Sequence, residues 1–230
     1  IDEDDGSISG HGDHVAGIIG AGRNGFGMHG VAYNSILMPL RAIDAGETRG
    51  NEAAVNQAIV NAANHGAKVI NGSYGPYAFP MPIGDDNNPN PNYEVLNYQL
   101  ILNSPEGLRK TYDALKYAAD NDVVMVFAAG NERRVQPGAF STIPSGNGML
   151  PLITRDFINS GRIRFLNTRD NNIDLNNPDT YSFINPSDPA FDDMDFSDLH
   201  GSLITVVSLG PDGKLASYSN ECGEAAEWCI

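Results

Sequence analysis

Alternation between short apolar runs and stretches of helical period constrains this chain more than any other feature. Residues 36–42 (ILMPLRA), 67–71 (AKVIN), 123–128 (VVMVFA) and 203–209 (LITVVSL) are candidate strands, the first weakened by Pro39. Residues 51–64 place Val55, Ala58, Ile59, Ala62 and Ala63 on one helical face, and Gly66 supplies a stop. A second amphipathic helix starts at Ser104-Pro105-Glu106 and carries Leu108, Tyr112, Leu115 and Ala119. Strands that are apolar on both faces and alternate with helices imply an α/β fold: a mainly parallel sheet flanked by helices on both faces.

Two stretches break the rhythm. Residues 76–103 are rich in Pro, Asn and Asp, and residues 132–200 are long, polar and irregular. Both read as long inserted loops within one domain spanning 1–230, not as separate domains. A chain of 230 residues, 41% of them hydrophobic, can bury one sizeable core. No repeat of solenoid period occurs, and no apolar run is long enough to cross a bilayer. The opening residues Ile1-Asp2-Glu3-Asp4-Asp5 carry no initiator Met or basic leader, as expected of a mature or excised form. A net charge of −15 opposes binding to nucleic-acid phosphates and anionic lipid and leaves room for cations.

One glycine motif points elsewhere. Gly20-Ala21-Gly22-Arg23-Asn24-Gly25 matches G-x-G-x-x-G, with Asp44 near the distance expected of a ribose-binding acid. A dinucleotide site needs a helix opening at the third glycine, so that its first amides meet the pyrophosphate. Residues 26–34 (FGMHGVAYN) hold two more glycines and no helical period, so the motif reads as a glycine-rich turn.

The chemistry concentrates in Gly10-His11-Gly12-Asp13-His14-Val15-Ala16-Gly17-Ile18-Ile19. A histidine just inside a helix start, flanked by glycines, can present its imidazole to a cleft, while small or apolar Val15, Ala16 and Gly17 let the helix lie close to a sheet. A lone histidine is ordinarily a satisfied core or surface residue. The length of this match decides otherwise: the segment resembles the H-G-T-H-V-A-G of the subtilisin-like serine proteases. The resemblance implies that His11 is the general base, taking the proton of a serine nucleophile. His14 is then structural, and Asp13, where the family has Thr, is an exposed acid at a helix start.

Further segments carry the same resemblance. Residues 123–132 (VVMVFAAGNE) are similar to the family's strand ending in A-A-G-N, which implies that Asn131 is the oxyanion-hole donor. Residues 69–75 (VINGSYG) are similar to its V-I-N-M-S-L-G. By that likeness Ser73, Tyr74 and Gly75 form one wall of the primary specificity pocket and Ala128, Ala129 and Gly130 the other. Little side-chain bulk there implies a roomy, mainly apolar pocket. Gly50 and Asn51 match the edge strand that pairs with substrate backbone. The sequon Asn71-Gly72-Ser73 falls in a strand expected to be buried and is set aside. The stretch from Ala216 to Ile230 resembles the segment preceding the nucleophile. Its Cys222 and Cys229 match the version found in protease passenger domains of bacterial autotransporters, which implies a disulfide.

Two family elements are missing. The catalytic aspartate should end a buried apolar strand, and no such strand precedes Asp2. No G-T-S-M-A or G-x-S-x-G occurs either, so the serine and aspartate are expected outside these residues, and the segment alone is expected to be inactive. The resemblance therefore implies a secreted or cell-surface serine endopeptidase acting on protein or peptide substrates. Its parent is expected to be membrane-anchored or secreted through a separate domain, and to require no cofactor. The alternative is a non-catalytic binding or scaffold domain derived from the same fold. Asp85-Asp86-Asn87-Asn88 and residues 170–174 (DNNID) cluster oxygen ligands, so calcium is a possible structural ion, although solvated loops explain them as well.

Overall fold

A computed structural model describes residues 10–42, 52–75, 99–101, 104–131, 133, 142–161, 163–166 and 181–230. Helix α1 (His11–Gly20) is followed by α2 (Glu52–Asn64), β1 (Val69–Gly72), β2 (Gln99–Ile101), α3 (Pro105–Asp120) and β3 (Val124–Ala128). After a 3-10 segment, Gly146–Leu152, come α4 (Arg155–Asn159), β4 (Ile163–Leu166), β5 (Tyr181–Phe183) and β6 (Leu203–Val206).

The two long helices form where period and caps agree. In α2 the buried residues are Val55, Ile59, Ala62 and Ala63, and Gly66 stops the helix with φ +78° while Ala67 N–H donates back to Ala62 O. Ser104 caps α3 by accepting from Gly107 N–H at 3.0 Å, with Pro105 in the first turn. The helix then buries Leu108, Tyr112, Leu115 and Ala118, and packs against α2. Tyr112 donates to Asp198 Oδ2 at 2.9 Å; burial first, and then that carboxylate, push its hydroxyl up to about 12.

Three strands make the main sheet in the order β1-β3-β6, every pair parallel, with Val69 opposite Val124 and Met125 opposite Leu203. Parallel neighbours need a crossover, and α3 lies on the crossover between β1 and β3. One face is closed: Met125, Phe127, Leu203 and Thr205 are almost fully buried. On the other, Val69 and Val206 are exposed. The α/β class stands, with its tightest packing on the face of Met125 and Phe127.

The two inserted stretches meet each other. Strand β2 of the first pairs parallel with β4 of the second, and β4 pairs antiparallel with β5. Ile153, Ile158, Ile163, Phe191, Met194, Phe196 and Leu199 from the second stretch are buried in the same cluster as α2, α3 and the main sheet. Each such side chain contributes about 1.5–3 kcal/mol on leaving water.

Several expectations need correction. Residues 36–42 form no strand; Ile36, Leu37, Met38 and Leu40 are exposed. A strand is stabilised by its ladder partner, and this run has none among the described residues, while Pro39 lacks a donor. Strand β6 ends at Val206, earlier than its apolar run, and β1 starts at Val69. Helix α1 has no buried residue, so Val15, Ala16 and Gly17 are only partly covered and the helix is outside the core. After Gly25 no helix begins within residues 26–42, so the pyrophosphate-binding helix terminus is absent there. Asp44 and both acidic clusters considered for calcium lie outside the described residues.

Cys222 and Cys229 form a disulfide with Cα atoms 5.5 Å apart, an ordinary separation for a bridged pair. Chain entropy for so short a loop predicts that Cys222→Ser with Cys229→Ser lowers stability by about 2.5 kcal/mol. Denaturant unfolding of both proteins measures the difference; unchanged midpoints would mean that strain offsets the gain.

Candidate active site

Because β1 and β3 are parallel, the residues that follow them emerge at one edge of the sheet, the edge at which open α/β sheets place ligands. Ser73, Tyr74 and Gly75 leave β1 there, and Ala129, Gly130 and Asn131 follow Ala128, the last residue of β3. Ser145 sits between the two. Its N–H donates to Ala129 O at 2.8 Å, and a Cβ placed on Gly75 would lie 3.6 Å from its Oγ.

The first wall is held by aromatic packing. Phe127 on the buried face lies edge-on to Tyr74, with ring centroids 5.9 Å apart. Its ring covers Gly72 so closely that a Cβ at that position would come within 2.3 Å, so only glycine fits. The Tyr74 hydroxyl accepts a long hydrogen bond, 3.4 Å, from Asn147 Nδ2, and burial raises its pKa far above the usual tyrosine range. The bulk of Tyr74 is thereby packed against the core cluster.

The second wall ends in Ala129, which is buried, and Gly130, at φ +108°. Asn131 then occupies an exposed bend. A rigid strand followed by a sharp turn is a suitable mount for a donor that must be in place before negative charge develops. His11 is exposed in the first turn of α1, as is His14, and neither side chain hydrogen-bonds another described residue. Asp13 is exposed in the same turn. Residues 73–75 and 128–131, the expected walls and donor, thus lie at one edge, whereas no hydrogen bond among the described residues links His11 to them. Gly50, Asn51 and Asp2 lie outside the described residues.

Asn71 differs from expectation. It is exposed on β1, not buried, and its Nδ2 donates to Ser73 Oγ at 2.9 Å. Sequence reasoning also missed Ser145 and Asn147, which sit in a stretch read as irregular and belong to no motif.

Comparison with known proteins identifies the family. A family model described as the subtilase family matches residues 2–230. An extracellular serine protease of Serratia marcescens is 25% identical over 249 residues, covering 99% of this chain and 18% of that protein. Fervidolysin of Fervidobacterium pennivorans is 30% identical over 126 residues, covering 53% of this chain and 14% of its own length. The chain thus spans under a fifth of the length of either relative. Among solved structures, the epidermin leader peptide processing serine protease of Staphylococcus aureus matches with a TM-score of 0.46 and 21% identity, over 90% of this chain and 35% of that one. These 230 residues belong to the subtilase family of serine proteases.

Proposed function

We propose that the protein carrying this chain is a serine endopeptidase that hydrolyses peptide bonds through a Ser-His-Asp triad. His11 is its general base and Asn131 its oxyanion donor, and the serine and aspartate come from residues outside these 230. The observation that carries it is the delivery of Ser73–Gly75 and Ala128–Asn131 to one sheet edge on either side of Ser145. On this reading the substrate carbonyl binds beside Asn131, and Ser73–Gly75 and Ala128–Gly130 border the residue before the cut bond. In the chemical step His11 takes the hydroxyl proton, the serine oxygen attacks the carbonyl carbon, and the oxyanion receives the Asn131 amide N–H. His11 then returns the proton to the leaving amine, and water releases the acyl group by the same route. Protein or peptide substrates follow from the family. Export from the cell, by anchoring or through a separate domain, is supported by the extracellular Serratia relative and by a disulfide of the kind oxidising compartments permit.

The alternative is a non-catalytic binding or scaffold domain derived from the same fold. A cleavage assay on the complete protein with a peptide library separates the two. The expected outcome is cleavage with a preference for large apolar or aromatic side chains before the cut bond, since neither Ser73–Gly75 nor Ala128–Gly130 carries a charged side chain. A profile dominated by Arg or Lys would mean that an acidic group enters the pocket, and no cleavage by folded protein would favour the scaffold.

A further inference from the structure

We propose that the loop closed by Cys222–Cys229 braces the turn that carries Asn131, so that Arg133, Glu221, Gly223 and the cysteine pair are positioning residues for the oxyanion donor. This rests on the reading of Asn131 as that donor.

The segment entering the loop holds the turn on both sides. Asn220 N–H donates to Gly130 O at 3.1 Å, immediately before Asn131, and Arg133 N–H donates to Tyr218 O at 3.2 Å, just beyond it. Arg133 Nη2 also pairs with Glu221 Oε1 at 2.8 Å. The bracing segment is itself fixed, because Ser219 and Asn220 are almost fully buried. Ser219 Oγ accepts from Ser208 N–H and donates to Asn220 O, both at 3.0 Å.

The disulfide extends this hold in two directions. Gly223, at φ +47°, is pressed so tightly against the chain leading to Ser145 that a Cβ would come within 2.0 Å of Thr142 O. Ser145 in turn donates to Ala129 O, on the strand side of the turn. At its other end, Cys229 lies between Trp228 and Ile230, which are bonded to the sheet. Thr205 N–H donates to Trp228 O at 2.7 Å, Ile230 N–H to Thr205 O at 2.9 Å, and Val207 N–H to Ile230 O at 2.8 Å. Trp228 Nε1 and Thr205 Oγ1 both donate to Gly148 O at 3.0 Å. Through one S–S bond, β6 is therefore joined to the segment that grips both sides of Asn131.

An oxyanion donor accelerates the reaction only if its position is set beforehand, and its partner exists fully only in the transition state. Loosening the brace should therefore lower kcat and spare KM. Cys222→Ser with Cys229→Ser in the complete protease is expected to reduce kcat about ten-fold with KM within about two-fold, since misplacement by about an ångström can cost up to a hundred-fold. Gly223→Ala should act in the same direction. Arg133→Glu or Glu221→Arg alone should cost about three-fold, and the swapped double variant should recover most of it.

The deciding measurement is a cycle with Asn131→Leu, run where melting curves establish that every variant is folded. With the donor gone, removing the cysteines should cost less than about two-fold more, because residues acting as a unit are not additive. A full ten-fold loss in the Asn131→Leu background would overturn the brace while leaving Asn131 as donor. An Asn131→Leu protein with unchanged kcat would instead overturn the reading of Asn131 itself. If the cysteine variant does not fold, the Arg133/Glu221 swap decides: failure of the double variant to recover kcat contradicts the inference.

Discussion

Replacing His11 with alanine is expected to lower kcat of the complete protease by about 10⁶-fold, the loss seen when a subtilisin is deprived of its catalytic histidine. Without an imidazole, the serine hydroxyl keeps its proton at neutral pH and the leaving amine has no acid to protonate it. The structure makes this effect separable from folding. His11 is exposed in α1, which has no buried residue, and α1 contributes nothing to the core. A substitution at such a position changes stability by about 0.5 kcal/mol or less. Activity should therefore vanish while the melting temperature stays close to that of the parent. A variant that keeps a tenth or more of the parental kcat would remove His11 from the mechanism.

The second large effect is at Asn131. Asn131→Leu should lower kcat by about 10²–10³-fold and leave KM nearly unchanged, a magnitude measured on a subtilisin relative. The split between the two constants carries the meaning. An oxyanion donor meets a carbonyl oxygen weakly in the ground state and an oxyanion strongly in the transition state, so if Asn131 is that donor its loss belongs in kcat. Because Asn131 is exposed in a bend after β3, leucine there does not disturb the packing of Met125 or Phe127. An effect confined to KM would make Asn131 a part of the pocket and nothing more.

What could be read from the sequence is what short-range physics determines. Val55, Ile59, Leu108, Tyr112 and Leu115 recur at helical spacing, and Ser104 and Gly66 mark helix ends by their own chemistry, so α2 and α3 were legible. Residues 73–75 and 128–131 were singled out by resemblance alone, and the parallel pairing of β1 with β3 brings them to one edge. Residues 36–42 misled because an apolar run says nothing about whether a ladder partner exists. The second inserted stretch misled in the opposite way. Its polar majority hides Ile153, Ile158, Phe191, Met194 and Phe196, which reach the core from 3-10 turns, a short helix and loops that leave no regular period. Ser145, Asn220 and Tyr218 were invisible because their hold on the Asn131 turn passes through backbone groups that any residue type possesses.

A fluorophosphonate probe tests the central claim most directly, since it reacts covalently with a serine oxygen only where a base activates it. The complete protein and its His11→Ala variant are treated side by side, and the labelled residue is mapped by peptide mass spectrometry. The prediction is rapid labelling of one serine outside these 230 residues in the parent, with the rate falling by orders of magnitude in the variant. Equal labelling of the two proteins, or no labelling of folded parent, would contradict the assignment of His11 as the base of a serine protease, and labelling of a serine within this chain would contradict the placement of the nucleophile outside it.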